Sequence, residues 1–135
     1  MLININNPNV FRYIRNGFGP VNLHDIPPQN RHYRIFENIR RHTLYEHIVV
    51  QSFSGRHAKL IFKKILNGVS AIHNLNICYR DIRPENIYLD ENFNPKISSF
   101  NMSCINVNNL DEFNGALSYM APEILPGKQV NHIME

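Results

Sequence analysis

The sequence predicts an α+β fold in which short strands come first and a long helix follows. Three observations support this prediction. Residues 1–30 place Pro, Gly and Asn around short apolar pieces, the segment Arg56–Asn76 has helical periodicity, and two later short strand candidates flank a turn that contains Asp, Asn and Pro. With 135 residues, 43% of them apolar, the chain can bury the core of one domain or of part of one.

Strands are expected first. The stretches INNPNV, NGFGP and DIPPQN surround short apolar pieces such as Val10–Ile14, which favours brief strands joined by loops. In HYRIFENI, the alternation around Tyr33, Ile35 and Glu37 predicts a further strand.

Two helices should follow. In HTLYEHIVVQSF, Thr43 lies three residues before Glu46, the spacing of a capping box, which predicts a short helix. From Arg56 to Asn76 the pattern predicts one long amphipathic helix. Its apolar residues at helical spacing are Leu60, Ile61, Ile65, Leu66, Val69 and Ile72.

Two short strands are expected near the middle of the chain, at Ile87–Leu89 and Lys96–Ser98. The intervening DENFNP has the Asp, Asn and Pro of a hairpin-like turn. From Asn101 onward the sequence predicts mostly irregular structure.

Charge and cysteine content limit the class to which the protein can belong. Lys and Arg exceed Asp and Glu by 14 to 11 and are spread along the chain, so we expect no nucleic-acid partner. Cys78 and Cys104 have neither a metal spacing nor a disulfide-rich density, and no leader-like segment opens the sequence, which favours a cytoplasmic location. No apolar run approaches the roughly 20 residues that cross a bilayer, so no membrane partner is expected.

A charged turn follows the long helix. CYRDIRPENIYLD places Asp81 five residues before Asn86, with Arg83 between them. A carboxylate can deprotonate an attacking hydroxyl, an amide oxygen can bind Mg²⁺ and a cation can contact a phosphate. The trio is a candidate catalytic group for phosphoryl transfer. The alternative is that these side chains only cap turns and pair with a surface acid.

The order of motifs resembles the eukaryotic-type protein kinases, whose catalytic loop reads HRDLKPEN. Here Tyr79–Asn86 reads YRDIRPEN, and Ser99–Asn101 stands eighteen residues after Asp81, where the family has DFG. Ala121–Glu123 matches the family's APE, and YRIFENIRRHTLYEHI resembles the strand, hinge and helix that contact adenine.

The resemblance implies a protein-kinase-like fold that is incomplete. Residues 1–37 would be a remnant of the small-lobe strands and hinge. Residues 38–135 would be the first part of the helical large lobe, with the catalytic loop and activation segment.

The resemblance also implies the site residues. Asp81, Arg83 and Asn86 would be catalytic, and ATP and Mg²⁺ would be the cofactors. Ser99 replaces the family's metal-binding Asp, which leaves Asn86 as a weak ligand for Mg²⁺. Ala116 replaces a Thr that orients the catalytic Asp in Ser/Thr kinases. The residues matching the family's nucleotide contacts are Glu37, Ile39, Asn86, Leu89 and Ser99.

Two further substitutions look structural. Tyr79 replaces the motif's His, and we expect its ring to pack on Phe100. Asn101 replaces the Gly of DFG, and we expect it to adopt a left-handed backbone.

The resemblance implies that family elements lie outside the matched residues. The family's phosphate loop, strand Lys and helix Glu would precede them, and none of the five lysines precedes Tyr33. An Arg that pairs with the position of Glu123 would follow them. We therefore expect uncovered apolar surface on the helix of residues 56–76, which favours oligomerisation or a protein partner.

Three functions fit these residues. The first is a Ser/Thr-type kinase-like module, catalytically impaired in the manner of a pseudokinase, that binds a kinase or a kinase substrate. The second is an active Ser/Thr protein kinase, completed by further segments or a partner, that transfers phosphoryl groups from ATP to protein hydroxyls. The third is a gene remnant without a function.

Overall fold

The computed structural model describes residues 5–23, 26–39, 42–105 and 116–122. The strands within these ranges form three antiparallel pairs, β1–β2, β3–β6 and β4–β5. Small sheets and two helices confirm the α+β class. The elements are β1 (Tyr13–Leu23), β2 (Ile26–Phe36), α1 (Leu44–Val50), α2 (Gly55–His73), β3 (Ile77–Cys78), β4 (Ile87–Leu89), β5 (Pro95–Ile97) and β6 (Cys104–Ile105).

Strands β1 and β2 form one long hairpin, so the expectation of several brief strands is wrong. The register pairs Gly17 with Tyr33 and Pro20 with Asn30. Both strands are edge strands, where proline is tolerated, and they contain Pro20, Pro27 and Pro28, which had suggested loops. At the base of the hairpin, the ring of Phe36 packs against those of Phe11 and Tyr13, with centroids 6.4 and 5.8 Å away.

Helix α1 begins with the predicted capping box. The Thr43 hydroxyl accepts a hydrogen bond from the Glu46 amide (3.2 Å), and the Glu46 carboxylate accepts one from the Thr43 amide (2.7 Å). Each side chain therefore satisfies a backbone donor at the helix N-terminus. This prediction is confirmed.

Helix α2 confirms the predicted long amphipathic helix but ends three residues earlier, at His73. Ser54 caps its N-terminus, and Asn76 adopts a left-handed backbone (φ 55°) in the turn that follows. One face of α2 packs into the core. The buried residues of this face are Ile61, Ile65, Gly68 and Ile72.

The core consists of two apolar clusters, one containing Ile97 of β5 and the other Ile87 and Leu89 of β4, and Val69 of α2 packs against both. The buried residues of the first cluster are Ile5, Val10, Ile72, Ile77, Tyr79 and Ile97. Those of the second cluster are Leu44, Ile61, Ile65, Ile87 and Leu89.

The predicted hairpin turn between β4 and β5 is confirmed, although β5 begins one residue earlier than expected. The Asp90 carboxylate accepts hydrogen bonds from the amides of Asn92 (2.9 Å) and Asn94 (2.8 Å). Burial opposes the charged form of Asp90, but these bonds and one from the Asn94 side chain hold its pKa below the ordinary value.

Neither of the described helices is long and apolar enough to cross a membrane.

Candidate functional site

The structure brings Asp81 and Asn86 together in the turn after β3. Asn86 lies in a 3₁₀ turn that begins with Pro84, a residue preorganised for a first helical position. The Asn86 side-chain NH₂ donates to the Asp81 carboxylate (2.6 Å) and to the Asp81 backbone carbonyl (2.9 Å). Because both bonds use the amide nitrogen, the oxygen Oδ1 is the Asn86 atom that remains for a cation.

Arg83 pairs within the same turn. Its Nε and Nη2 donate to the two carboxylate oxygens of Glu85 at 3.0 and 2.8 Å, and its guanidinium lies 5.6 Å from the centroid of the Tyr119 ring. The hydrogen bonds with Glu85 raise the pKa of Arg83. Arg83, which was predicted to contact a phosphate, therefore pairs with an acid two residues away. This pairing is what the alternative interpretation expected, in which the side chains of the turn only cap it and pair with a surface acid.

Ser99 lies at the end of the β4–β5 hairpin beside Asn86. The Asn86 carbonyl accepts from both the amide and the hydroxyl of Ser98 (2.9 Å each), so Ser99 follows a residue bonded to Asn86. Ser99 has a left-handed backbone, with φ 58° and ψ 62°. The expectation of a left-handed Asn101 is wrong, because Asn101 lies in the 3₁₀ turn Phe100–Met102 and the reversal falls on Ser99 instead.

Tyr79 and Phe100 make the predicted aromatic contact, which is confirmed. Their ring centroids lie 5.2 Å apart at an interplanar angle of 83°. Tyr79 is buried, and its hydroxyl donates to the Ser98 carbonyl. Burial raises the pKa of Tyr79, so the phenol stays a neutral donor.

A cavity of about 1170 Å³ separates the β1–β2 hairpin from the end of the β4–β5 hairpin. Its wall combines aromatic rings with the polar groups of the Ser99 turn, the composition of a small-molecule site. The lining includes Phe11, Tyr13, Phe36, Tyr88, Ser99 and Phe100.

Of the predicted nucleotide contacts, Ser99 lines this cavity, whereas Glu37, Ile39, Asn86 and Leu89 lie outside its lining. The Glu37 carboxylate accepts hydrogen bonds from the Lys96 ammonium (2.7 Å) and the Arg12 amide (3.0 Å). Burial opposes its charged form, but these partners hold the pKa of Glu37 below its ordinary value. The Glu37 side chain therefore has a structural role, as one partner of an ion pair with Lys96.

Leu89 requires a correction. It has no exposed surface (0%) and packs in the core with Leu44 and Ile61, so it offers nothing to a ligand. Tyr88, its neighbour, lines the cavity and stacks 5.3 Å from Phe11. The signal was present in the sequence, because successive strand residues face opposite sides and Tyr88 must point away from Ile87 and Leu89.

The side chains near Ser99 fit Mg²⁺ poorly. This ion prefers an octahedron of oxygens with one or two carboxylates, whereas Asn86 and Ser99 offer a neutral amide and a hydroxyl. The Asp81 carboxylate already accepts from Asn86. Across the described ranges, no three His, Cys, Asp or Glu side chains are grouped to hold a metal.

The structure describes the segment that leads to the predicted APE motif, but only part of the motif itself. Ala116 is the N-cap residue of the 3₁₀ turn Leu117–Tyr119, and its methyl group supplies no hydrogen-bond donor for Asp81. Glu123, the acid of the APE motif, lies outside the described residues, as do Arg40 and Arg41.

Sequence comparison agrees with this geometry. A family model described as the protein kinase domain matches residues 3–134. The chain is similar to the phosphorylase b kinase gamma catalytic chain, liver/testis isoform, of Bos taurus, at 36% identity over 67% of this chain and 23% of that protein. It is also similar to CBL-interacting protein kinase 17 of Oryza sativa subsp. japonica, at 31% identity over 80% of this chain and 25% of that protein.

The chain thus spans about a quarter of the length of these two curated relatives. The matched residues include the Asp81–Asn86 turn, the Ser99 turn and the strands that position them. The chain therefore belongs to the protein kinase domain family.

Proposed function

We propose that this kinase-like domain, of the Ser/Thr type, is catalytically impaired and acts by binding another protein. The observation that carries the proposal is Ser99. It occupies the turn beside Asn86 where a kinase needs a carboxylate, and a single neutral hydroxyl cannot replace the charge that holds Mg²⁺ on a nucleotide.

The geometry around Asp81 supports impaired catalysis. A general base must be free to accept a proton from the substrate hydroxyl. The Asp81 carboxylate accepts one hydrogen bond from Asn86 and has further lone pairs for a proton, but Ala116 offers no hydroxyl to orient it. Arg83, the cation between Asp81 and Asn86 in the motif, is paired with Glu85.

Nucleotide binding without catalysis is compatible with this proposal. The cavity beside Ser99 presents the rings of Phe11, Phe36 and Tyr88, against which a purine could stack. We expect any nucleotide held there to bind without requiring Mg²⁺.

The test is a phosphotransfer assay with Mg-ATP and generic Ser/Thr peptides, together with thermal denaturation in the presence of ATP. We expect no turnover above that of Asp81→Asn, and the same melting temperature with ATP whether Mg²⁺ is present or not. Turnover that Asp81→Asn abolishes would refute the proposal.

A substitution adds the missing group. We expect Ser99→Asp to make the ATP-induced thermal shift depend on Mg²⁺, because it places a carboxylate beside the Asn86 turn. Ser52→Asp, the same change at an exposed loop residue, is the control and should leave the shift unchanged. If Ser99→Asp leaves metal dependence unchanged, Ser99 is not what limits the site.

The protein-binding part of the proposal draws on α2. Phe62 and Leu66, one helical turn apart, are 61% and 52% exposed. Adjacent exposed apolar side chains favour association with a protein surface. We expect sedimentation to show concentration-dependent association that Phe62→Gln weakens and Lys63→Gln does not; a monomer at all concentrations would exclude self-association.

A second candidate function is phosphoryl transfer to protein hydroxyls, completed by a partner or further segments. The retained Asp81–Asn86 pair and the Tyr79–Phe100 contact favour it, since both belong to the family's catalytic architecture. The same assay separates the two functions.

A further inference from the structure

Two cysteines lie directly opposite each other in the two-stranded sheet whose strands come before (β3) and after (β6) the catalytic turn in the chain. The register of β3 and β6 pairs Cys78 with Cys104 and Ile77 with Ile105. Directly opposed residues of an antiparallel pair project to the same face, with Cα atoms about 4.5–5.5 Å apart. A disulfide needs Cα atoms roughly 4.4–6.8 Å apart, so the backbone already meets this requirement.

The two thiols also interact. Both are half-buried, and the register of β3 and β6 places them next to each other. Burial, followed by the neighbouring sulfur, raises the pKa of Cys78, so its thiolate is disfavoured where it lies. A disulfide carries no charge and does not incur this cost.

We propose that Cys78 and Cys104 form a reversible disulfide, a modification site that joins the strand before the catalytic turn to the strand after the Ser99 turn. The proposal does not depend on nucleotide, metal or kinase activity. It rests on the pairing of β3 with β6.

The oxidant we name is a low-molecular-weight disulfide, glutathione disulfide. The Cys104 thiolate attacks one sulfur and releases one glutathione thiolate, which leaves a mixed disulfide on Cys104. The Cys78 sulfur loses its proton, attacks the Cys104 sulfur and displaces the second glutathione. Two protein thiols are oxidised to one disulfide, and glutathione disulfide is reduced to two glutathione molecules.

The disulfide would strengthen a short connection. The β3–β6 ladder has two residue pairs, supplemented by the Arg80 Nε donating to the Met102 carbonyl (2.6 Å) and the Ser103 hydroxyl donating to the Tyr79 carbonyl (3.3 Å). A covalent bond across this ladder would hold the Asp81 and Ser99 turns in their present arrangement, because Cys78 and Cys104 flank them in the chain.

The test is a redox titration of the full 135-residue chain in defined glutathione and glutathione disulfide mixtures, followed by acid quenching and alkylation. We expect intact mass spectrometry to show the loss of two hydrogen atoms in a monomer, and peptide mapping to show a Cys78–Cys104 cross-link that dithiothreitol reverses. The oxidised chain should melt roughly 5–10 °C above the reduced chain.

Repeating the titration in denaturant isolates the role of the fold. If β3 and β6 bring the thiols together, the folded chain should reach half-oxidation at a glutathione disulfide level at least about tenfold lower than the denatured chain. Equal midpoints would overturn the proposal. So would glutathione adducts, intermolecular dimers or persistent thiols as the sole products.

The variants Cys78→Ser and Cys104→Ser provide the matched controls. Each should form at most one glutathione adduct and show no rise in melting temperature on oxidation. A rise equal to that of the unsubstituted chain would overturn the proposal. Because the cross-link is mapped in the unsubstituted chain, the main result does not depend on either variant folding.

Discussion

At position 99 the backbone conformation is one that Asp adopts readily, although the residue there is Ser, which has no carboxylate. A left-handed conformation costs an L-residue with a Cβ about 1–2 kcal/mol, and Asp and Asn adopt it more readily than most residues. Ser99 adopts this conformation with φ 58°. An Asp at position 99 should therefore be accommodated without backbone movement, which makes Ser99→Asp a test of chemistry rather than of folding.

A second feature at the scale of single residues is the buried hydrogen bond that Tyr79 donates. We expect Tyr79→Phe to lower the free energy of unfolding by about 1–2 kcal/mol, because its hydroxyl donates to the Ser98 carbonyl in a buried setting. Urea denaturation followed by circular dichroism measures the change. Tyr45→Phe, at a residue 47% exposed, should change it little; equal effects would show that the buried bond contributes nothing.

At the scale of elements, Gly68 sets how closely α2 approaches β5 and the segment before β1. A Cβ at this position would lie 2.8 Å from the Asn9 carbonyl oxygen and 3.0 Å from the Ile97 Cδ1. Asn9 cannot easily retreat, since its side chain donates to the Pro95 carbonyl (3.0 Å) and accepts from Asn67 (3.0 Å). The helix therefore needs a glycine here despite its low helical propensity.

We expect Gly68→Ala to destabilise the chain by about 1–3 kcal/mol, because overpacking against backbone outweighs the gain in helical propensity. Gly55→Ala is the matched control, since a Cβ there has no neighbour within 4 Å. It should be neutral or slightly stabilising. Thermal denaturation distinguishes the two, and equal shifts would argue against close packing at Gly68.

At the scale of the whole molecule, one ion pair links the end of the β1–β2 hairpin to the core hairpin. Glu37 lies just after β2 and Lys96 lies in β5, with side chains 19% and 16% exposed. The Glu37 amide also donates to the Arg12 carbonyl (2.9 Å). This connection ties the long hairpin to the part of the chain that carries Asp81 and Ser99.

The pair predicts a pH dependence. The pKa of Glu37 is lower in the folded chain than its ordinary value, so the pair contributes stability above the unfolded pKa and loses it as pH falls through the folded pKa. We expect Glu37→Gln to cost about 1–3 kcal/mol at neutral pH and to reduce the loss of stability on acidification over that window. Urea denaturation at several pH values measures both effects.

The control for this prediction is Glu91→Gln, at an exposed position in the β4–β5 turn. It should leave the stability at neutral pH unchanged. If Glu37→Gln and the unsubstituted chain lost equal stability between neutral and acidic pH, the pair with Lys96 would not be the source of the dependence.

Local features were predictable because neighbouring residues decide them. The Thr43–Glu46 capping box, the amphipathic α2 and the Asp90 turn depend on side chains a few residues apart. The end of α2 was less predictable, since apolar residues continue to Ile77 after the helical hydrogen bonds stop.

Features that depend on distant pairing were missed. The long β1–β2 hairpin escaped prediction because prolines break a strand pattern locally, while only the pairing shows that both strands are edges. Leu89 was assigned to the ligand because the motif gives its position in the chain and not its face. The ion pair of Glu37 with Lys96 joins residues 59 apart in sequence.

By itself, the sequence determined the family, the motifs and the replacement of a metal-binding carboxylate by Ser99, since these are matters of residue type and spacing. The tertiary structure decided which groups meet: Asn86 bonds Asp81, Tyr88 rather than Leu89 faces the cavity, and Cys78 lies opposite Cys104. The physical reason is that donors, acceptors and sulfur atoms act over a few ångströms, and only the folded chain brings residues that are distant in sequence within that range.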